Sequence, residues 1–422
     1  MYFNIHSGSC APAERDLRSL ATVFSQTLRE RPIGKGFAIL LAVISCTGPL
    51  GAAPFLPERD AEVLERLPTT LGGGSGDLRR LRDRLARAPT DPALAVAAAG
   101  RYIELGQGQS DPRYYGYAQA ALAPWWGLAD PPSEVLLLRA AIRQGRHEFD
   151  PALQDLTRLL EKDPRDPQAW LMQAVIFIVR ADYQAARQAC EALARLRRAF
   201  LAFTCMGSVA SLSGQAQGGY DLLRLAEAQS QNATLGERVR LETLLGKTAE
   251  RLGDWGRAEV HFQAAQTLGP HDAYVLGGYA DFLLDQGRAG EVVALLREET
   301  RVDGLLLRLT LAEREIGAPG KEAHIEDLRA RFAASRQRGD NLHQGEEARF
   351  LLHLLDQPQA ALTLAKANWA VQREPRDARI VLEAALASGQ YEAARPVLEM
   401  MERTRLQDLP LRRFANELRA KR

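Results

Sequence analysis

The stretch that decides the fold is Gly253-Asp254-Trp255-Gly256-Arg257-Ala258-Glu259-Val260-His261-Phe262-Gln263-Ala264-Ala265. It predicts a tight turn followed by a helix, and it places Ala258, Phe262 and Ala265 on one stripe of that helix. Gly287 lies 34 residues after the first glycine and again precedes an apolar helix. A fixed period of this length predicts a repeat built from pairs of helices, in which each pair stacks on the next.

Composition favours helix throughout the chain. Ala, Leu, Arg and Glu dominate the 422 residues, and aromatic residues make up only 7%. A chain of this length exceeds one ordinary core, so several domains or a repeat array is expected. The 54 Lys and Arg residues nearly cancel the 53 Asp and Glu residues, and no basic stripe occurs. Nucleic acid is therefore not expected as a partner.

The same alternation of small and large residues recurs along the chain. Small residues let helix axes approach, and large residues fill the space beside them. Copies lie in 133–166, 167–199, 200–232, 239–272 and 273–302, and the match is clear in 167–199. The pattern is looser in 93–126 and 303–338, and it returns in 343–375 and 376–404. In the first clear copy the pattern consists of Trp170, Ala174, Phe177, Tyr183, Ala186, Cys190 and Leu193.

This pattern resembles the tetratricopeptide repeat family. The resemblance implies an all-α fold, a right-handed α-solenoid of tetratricopeptide-like helix pairs. It also implies a non-catalytic scaffold or adaptor for a protein or peptide partner, with no cofactor and no metal. We expect five segments: an N-terminal extension and signal segment (1–53), a linker and capping helices (54–92), repeats (93–302), a degenerate helical pair (303–342), and C-terminal repeats with a capping helix (343–422).

The N-terminal segment predicts export across a bacterial inner membrane. Basic residues precede the apolar run 37–45, and the small residues Gly51-Ala52-Ala53 follow it, as in a secretory signal. The run is shorter than the roughly 20 apolar residues that span a membrane. Cleavage near Ala52 or Ala53 would release a soluble periplasmic protein. Alternatively, Val43-Ile44-Ser45-Cys46 resembles a lipoprotein box, and acylation of Cys46 would anchor a subunit of an outer-membrane assembly or secretion complex.

A partner-binding groove follows from the resemblance, because ligands of the family usually lie along the first helix of each repeat. Carried over to this chain, that groove is apolar and accepts an apolar extended segment or an amphipathic helix. An alternative is that the chain's own packing covers this face. The groove residues are Val96, Ile103, Leu137, Leu171, Val175, Ile178 and Val179. The pair Trp125-Trp126 is interpreted as packing between repeats or as an exposed anchor for a partner.

Residues that could carry chemistry are scattered. The chain has no Cys-x-x-Cys, no His-Glu-x-x-His and no Gly-x-Ser-x-Gly sequence, so we expect neither a metal site nor an enzyme. His261, Asp281 and Asp285 are interpreted as residues of solvated helix faces. The alternative of an enzyme would use the irregular segment 303–356. Its only supporting residues are His324, Asp327, His343 and His353.

Cys190 and Cys205 are predicted to form a disulfide bond. Cys190 lies in the second helix of one repeat, and Cys205 lies in the first helix of the next. The turn near Arg197-Arg198 is almost equally far from both, so the two cysteines lie at the same height in an antiparallel pair. The oxidising periplasm permits the bond. The alternative is two free thiols that pack as small apolar residues.

Overall fold

The computed structural model describes residues 75–340 and 342–421. Within these ranges all regular structure is helical, which confirms the prediction of an all-α fold. The helices from Gly76 onward belong to one compact unit. The predicted signal segment, including Cys46, and most of the glycine-rich linker lie outside the described residues.

Four helices precede the regular pairs. They are α1 (Ser75–Arg87), α2 (Pro92–Gln109), α3 (Arg113–Ala121) and α4 (Ala123–Trp126). The side chain of Asp91 accepts hydrogen bonds from the backbone N–H groups of Ala93 and Leu94 and so begins α2. Leucine side chains of α1 pack against the apolar cluster that α2 opens, so α1 covers one end of the stack.

Ten helices form the central pairs. They are α5 (Ser133–Gly145), α6 (Phe149–Lys162), α7 (Pro167–Val179), α8 (Tyr183–Arg195), α9 (Ala199–Leu212), α10 (Ala216–Ala228), α11 (Leu235–Leu252), α12 (Trp255–Leu268), α13 (Ala273–Asp285) and α14 (Ala289–Leu296). A short 3-10 helix, Ser230–Asn232, separates α10 from α11. The odd-numbered helix of each pair is its first helix, and Asp166 and Asp272 cap two of these, α7 and α13.

Seven helices complete the chain. They are α15 (Asp303–Ile316), α16 (Lys321–Gln337), α17 (Gln344–His353), α18 (Pro358–Val371), α19 (Pro375–Ala387), α20 (Arg395–Thr404) and α21 (Leu409–Lys421). A 3-10 helix, Tyr391–Ala394, opens the second helix of the last pair.

One backbone conformation recurs at the turns inside the pairs. At seven of these turns one residue is left-handed, with φ between 52° and 81°, and the second helix starts two residues later; in the pair α15–α16 the left-handed Gly317 lies four residues before α16. Glycine adopts this conformation freely, whereas residues with a Cβ atom hold it against a steric cost. The turn residues are His147, Ala181, Gly214, Gly253, Gly287, Asp356 and Gly389. These turns therefore share one backbone conformation, although only some of them have glycine at the left-handed position.

The two helices α9 and α10 approach closely where glycines face each other. A Cβ atom on Gly219 would lie 2.6 Å from the backbone nitrogen of Ser211. A Cβ atom on Gly207 would lie 2.8 Å from Cγ of Leu223. Both distances are shorter than real contacts, so any larger residue would force the two helices apart.

The apolar core of the described residues links distant parts of the chain. One cluster runs through α2 to α7, and a second runs through α10 to α17. A third cluster joins α7, α8 and α9 to helices α17 to α21. Polar contacts follow the same route: Arg373 N–H donates to the Val179 carbonyl at 2.8 Å, and Ala216 N–H donates to the Gln407 side chain at 2.9 Å. The C-terminal pairs therefore pack on the central ones.

We expect Gly219→Ala to destabilise the protein by about 1–3 kcal/mol, because the backbone of Ser211 cannot move aside as a flexible side chain does. Gly218→Ala is the matched control, since nothing lies within 4 Å of a Cβ atom there. Alanine favours helix over glycine by up to about 1 kcal/mol, so the control should be neutral or stabilising. Urea unfolding of both variants measures the difference, and equal midpoints would contradict the close approach of α9 and α10.

Candidate partner-binding surface

The expected open groove is wrong at α7. Leu171 is 3% exposed, Val175 2%, Ile178 2% and Val179 4%. Leu171 and Ile178 belong to the apolar cluster that α7 shares with the C-terminal helices, and the Val179 carbonyl accepts a hydrogen bond from that part of the chain. These side chains are core residues, so they do not line a free surface.

The expected groove is partly open further toward the N-terminus. Val96 of α2 and Leu137 of α5 are half-buried and pack at the edge of the N-terminal cluster. Ile103 is buried, so it belongs to the core. Nothing lies within 4 Å of a Cβ atom placed on Gly100, so space remains beside α2.

The tryptophan pair serves packing in this structure. Trp125 and Trp126 are half-buried in α4 against the N-terminal cluster. Their carbonyl groups accept hydrogen bonds from the buried guanidinium of Arg139, which also pairs with Asp155 at 2.7 Å. The guanidinium of Arg143 lies 5.5 Å from the centre of the Trp126 ring. Two arginines thus tie α4 to α5 and α6, and the arrangement matches the packing interpretation.

The first helices of the later pairs face one another through charged side chains. Asp281 of α13 accepts hydrogen bonds of 2.6 Å from Arg308 of α15 and from Arg349 of α17. Burial would raise the pKa of Asp281, but the two guanidinium groups outweigh it and hold that pKa well below its usual range. Asp285, one turn later, accepts a 2.6 Å hydrogen bond from Arg379 of α19. The prediction of a solvated face therefore misses the ion pairs of both carboxylates; Asp281 is half-buried, whereas Asp285 is exposed.

A second junction lies between α17 and α19. Glu383 accepts a hydrogen bond from Nε2 of His353 at 2.9 Å and another from Arg379 at 2.7 Å. Burial acts to raise the pKa of Glu383, but the His353 hydrogen bond and the Arg379 charge lower it to about 2. Arg379 therefore bridges α13 and α19 while it also fixes a carboxylate of its own helix.

Cations and one aromatic ring from different pairs meet in the same region. The Nζ atom of Lys247 lies 3.9 Å from the centre of the Tyr274 ring, and the Arg240 guanidinium lies 5.2 Å from it. Burial raises the pKa of Glu374, but Arg376, Lys247 and other nearby positive charges lower it to about 2. The Arg376 side chain is 48% exposed, so water reaches this space between α11, α13 and α19. We call the following set the inner charged face: Arg240, Lys247, Tyr274, Asp281, Asp285, Arg308, Arg349, Arg376, Arg379 and Glu383.

Sequence reasoning missed the inner charged face. The predicted groove residues all lie before residue 180, so the prediction left out the first helices of the later pairs. The available signal was the presence of arginine and aspartate on the first helices of the later pairs, at Asp281, Arg308 and Arg349. Charged residues on the inner side of a first helix need partners of opposite charge. Their presence therefore predicts ion pairs between helices there, and an apolar groove is not expected.

His261 is buried and fully hydrogen-bonded, so the prediction of a solvated residue is wrong. Its Nε2 atom lies 2.8 Å from the hydroxyl of Tyr220, and its Nδ1 atom lies 2.7 Å from a carboxylate oxygen of Glu242. The chain Glu242–His261–Tyr220 joins α10, α11 and α12. Because Tyr220 and His261 are both buried, these hydrogen bonds hold the three helices together inside the fold.

The residues proposed for an enzyme do not form one site. His324 pairs with Glu313 at 2.8 Å, whereas Asp327 pairs with Arg331 of its own helix. His353 is held by α19, as described above. Between residues 75 and 421, no group of three or more His, Cys, Asp or Glu side chains is arranged to hold a metal ion.

Cys190 and Cys205 are joined by a disulfide bond that links α8 to α9, with their Cα atoms 5.5 Å apart. Both residues are buried in the cluster shared with the C-terminal helices. Cys46, the residue expected to carry a lipid in the alternative hypothesis, lies outside the described residues. Among the helices that are described, none has the length and apolar character to cross a bilayer.

We expect Val175→Glu to destabilise the protein by about 3–5 kcal/mol, because it buries a charge without a partner in the core. Leu137→Glu is the matched control: it makes a similar change on another first helix, at a half-buried position. The control should cost only about 1 kcal/mol. Thermal unfolding compares the two variants, and equal melting temperatures would show that Val175 is open to solvent after all.

No protein-family model matches the sequence, and no curated protein matches it. Solved structures with a similar arrangement of helices include a tetratricopeptide repeat protein from Parabacteroides merdae, with 18% identity, coverage of 60% of this chain and 92% of that chain, and a TM-score of 0.40. Yeast Tom70 has 12% identity, coverage of 82% and 86%, and a TM-score of 0.41. The likeness concerns the fold alone. With the period and turns of its own helix pairs, the chain is an α-solenoid of tetratricopeptide-like repeats.

Proposed function

We propose that this chain is a non-catalytic scaffold that holds a segment of another protein against its inner charged face. The observation that carries the proposal is the contact of Lys247 with the Tyr274 ring, close to Glu374, whose pKa is lowered by both Lys247 and the half-exposed Arg376. Stacked first helices bring side chains from many repeats to one side. A scaffold of this kind needs no reactive group, only a fixed pattern of charge and shape.

The partner segment is expected to carry an acidic side chain close to an aromatic or apolar one. Lys247 makes no ion pair with any described residue, so its ammonium group is available to an incoming carboxylate. The half-buried Tyr274 ring offers an apolar surface beside that charge. This chemistry replaces the apolar groove expected from the sequence, because the apolar part of that groove at α7 belongs to the core.

We expect the double variant Lys247→Ala with Tyr274→Ala to lose at least about tenfold in partner capture, which corresponds to 1.4 kcal/mol of binding free energy. The measurement is chemical crosslinking in an envelope extract, followed by quantitative mass spectrometry of the captured proteins. Lys366→Ala is the control, because Lys366 is an exposed lysine of the second helix α18. If the double variant captures the same proteins in the same amounts as the wild type, the partner does not bind at Lys247 and Tyr274.

Export is also part of the proposal: we infer that the protein works in the bacterial envelope, as a soluble periplasmic protein or as a lipid-anchored subunit. Support comes from the signal-like run at 37–45 and its small-residue exit. The disulfide bond between Cys190 and Cys205 is the type of cross-link that oxidising compartments permit and the cytosol disfavours.

Peptide mapping of protein from the envelope fraction, alkylated without reduction, tests this inference. We expect the peptide with Cys190 to remain joined to the peptide with Cys205. Cys46 should be absent if the signal is cleaved after it, or acylated if the protein is a lipoprotein. Reduction should lower stability by about 3 kcal/mol for a loop of 15 residues in the chain-entropy account. Alkylated Cys190 and Cys205 would contradict residence in an oxidising compartment.

A further inference from the structure

The first described helix, α1, presents an exposed face of arginine side chains. Its 13 residues include five arginines and only two aspartates. Leu78, Leu81 and Leu85 lie on one side of the helix and pack against the N-terminal cluster. All five arginines are exposed, and only Arg80 pairs with a carboxylate of the described chain, that of Asp77. The expectation that no basic stripe occurs is therefore wrong at α1, although the charges of the whole chain nearly cancel.

The other arginines of α1 carry positive charge that no described residue neutralises in an ion pair. Asp83, the second acidic residue of the helix, offsets part of this charge and leaves an excess of three positive charges. At about 100° per residue, Arg79 and Arg87 lie away from the buried leucines, whereas Arg82 lies at the flank of the leucine side. A guanidinium group stays charged at any physiological pH, so the excess is permanent.

Tyrosine rings of α2 and α3 lie beside this charge. Burial raises the pKa of Tyr102, and the positive charge of Arg82 acts against that rise, so the two side chains are electrostatic neighbours. The centre of the Tyr102 ring lies 5.5 Å from that of Tyr117 and 6.4 Å from that of Tyr114. Tyr117 is 55% exposed, and the exposed Arg113 precedes it by one turn of α3. We call the following set the basic aromatic face: Arg79, Arg82, Arg87, Arg113, Tyr114 and Tyr117.

This combination of side chains fits the headgroup layer of a negatively charged bilayer. Arginine donates paired hydrogen bonds to phosphate oxygens. Tyrosine has an apolar ring and a polar hydroxyl, and it is enriched where lipid headgroups meet the acyl chains. A basic amphipathic helix is typical of membrane surfaces. The leucines of α1 are already packed in the fold, so its contact with lipid depends on charge and on the tyrosines.

We propose that the basic aromatic face docks the protein on the surface of an anionic phospholipid bilayer, with the arginines on phosphate groups and Tyr117 at headgroup level. The place of α1 in the sequence favours this occupant. The apolar run 37–45 would bring the chain to a membrane, either as a cleaved signal or with an acylated Cys46, and Ser75 lies 29 residues after Cys46.

Docking through the basic aromatic face sets the N-terminal end of the solenoid against lipid. The inner charged face belongs to α11 and later helices, so it stays available to a protein partner. The inference holds whether or not a partner binds there.

Cosedimentation with vesicles tests the proposal. Protein from the envelope fraction is mixed with vesicles of phosphatidylcholine and phosphatidylglycerol in equal parts, or with vesicles of phosphatidylcholine alone. A lipid anchor would raise binding to both kinds alike, so the difference between them reports on charge. We expect binding to the anionic vesicles to be stronger by at least about tenfold, and to weaken as salt is added.

The variant with Arg79→Gln, Arg82→Gln and Arg87→Gln removes three charges from the basic aromatic face. One basic residue near an anionic surface contributes a factor of about five in affinity, so this variant should lose roughly a hundredfold on anionic vesicles. The loss should be absent on neutral vesicles.

A matched control removes three exposed arginines from the region of α8, through Arg187→Gln, Arg195→Gln and Arg198→Gln. It lowers the total charge equally and should bind anionic vesicles as the wild type does. Equal losses in the two variants would show that only total charge matters and would overturn the proposal.

A charge-preserving variant separates loss of charge from loss of structure. Arg79→Lys, Arg82→Lys and Arg87→Lys together should retain most of the binding, because attraction to an anionic surface depends mainly on charge. Equal binding of the wild type to anionic and neutral vesicles would reject the proposal. So would a protein that ignores both kinds of vesicle but binds a single-stranded oligonucleotide through the same arginines.

Discussion

A helix pair of this kind buries only part of its apolar surface within itself, so each pair depends on neighbours on both sides. The pair α7–α8, in the first clear repeat, buries apolar surface on two sides. The pair α7–α8 packs on the N-terminal cluster through Met172 and Ile176, and it packs on the C-terminal helices through Leu171 and Ile178. A face that would form an open groove in an extended stack is therefore interior here. Because the C-terminal helices pack against α7 to α9, they determine which surfaces of the central pairs remain free.

The inner charged face is a different kind of contact. Ion pairs removed from water add little net stability, because lost hydration offsets much of their attraction. Their directionality has a larger effect: Asp281 accepts from arginines of two other helices, which defines how α13, α15 and α17 lie relative to one another. A wrong register would leave buried charges unpaired, at a cost of several kcal/mol. Apolar clusters hold the pairs together, and the carboxylates select one arrangement of them.

The sequence predicts the local part of this structure well, because helix periodicity and turns involve neighbouring residues. Even there, His147, Ala181 and Asp356 occupy left-handed turn positions that a search for glycine passes over. The candidate site was largely missed, since it depends on contacts between remote residues. Asp285 and Arg379 are 94 residues apart, and the hydrogen bond of Gln372 to His147 spans 225 residues. No periodic pattern contains such pairings, because they arise where the C-terminal helices pack on helices far earlier in the sequence.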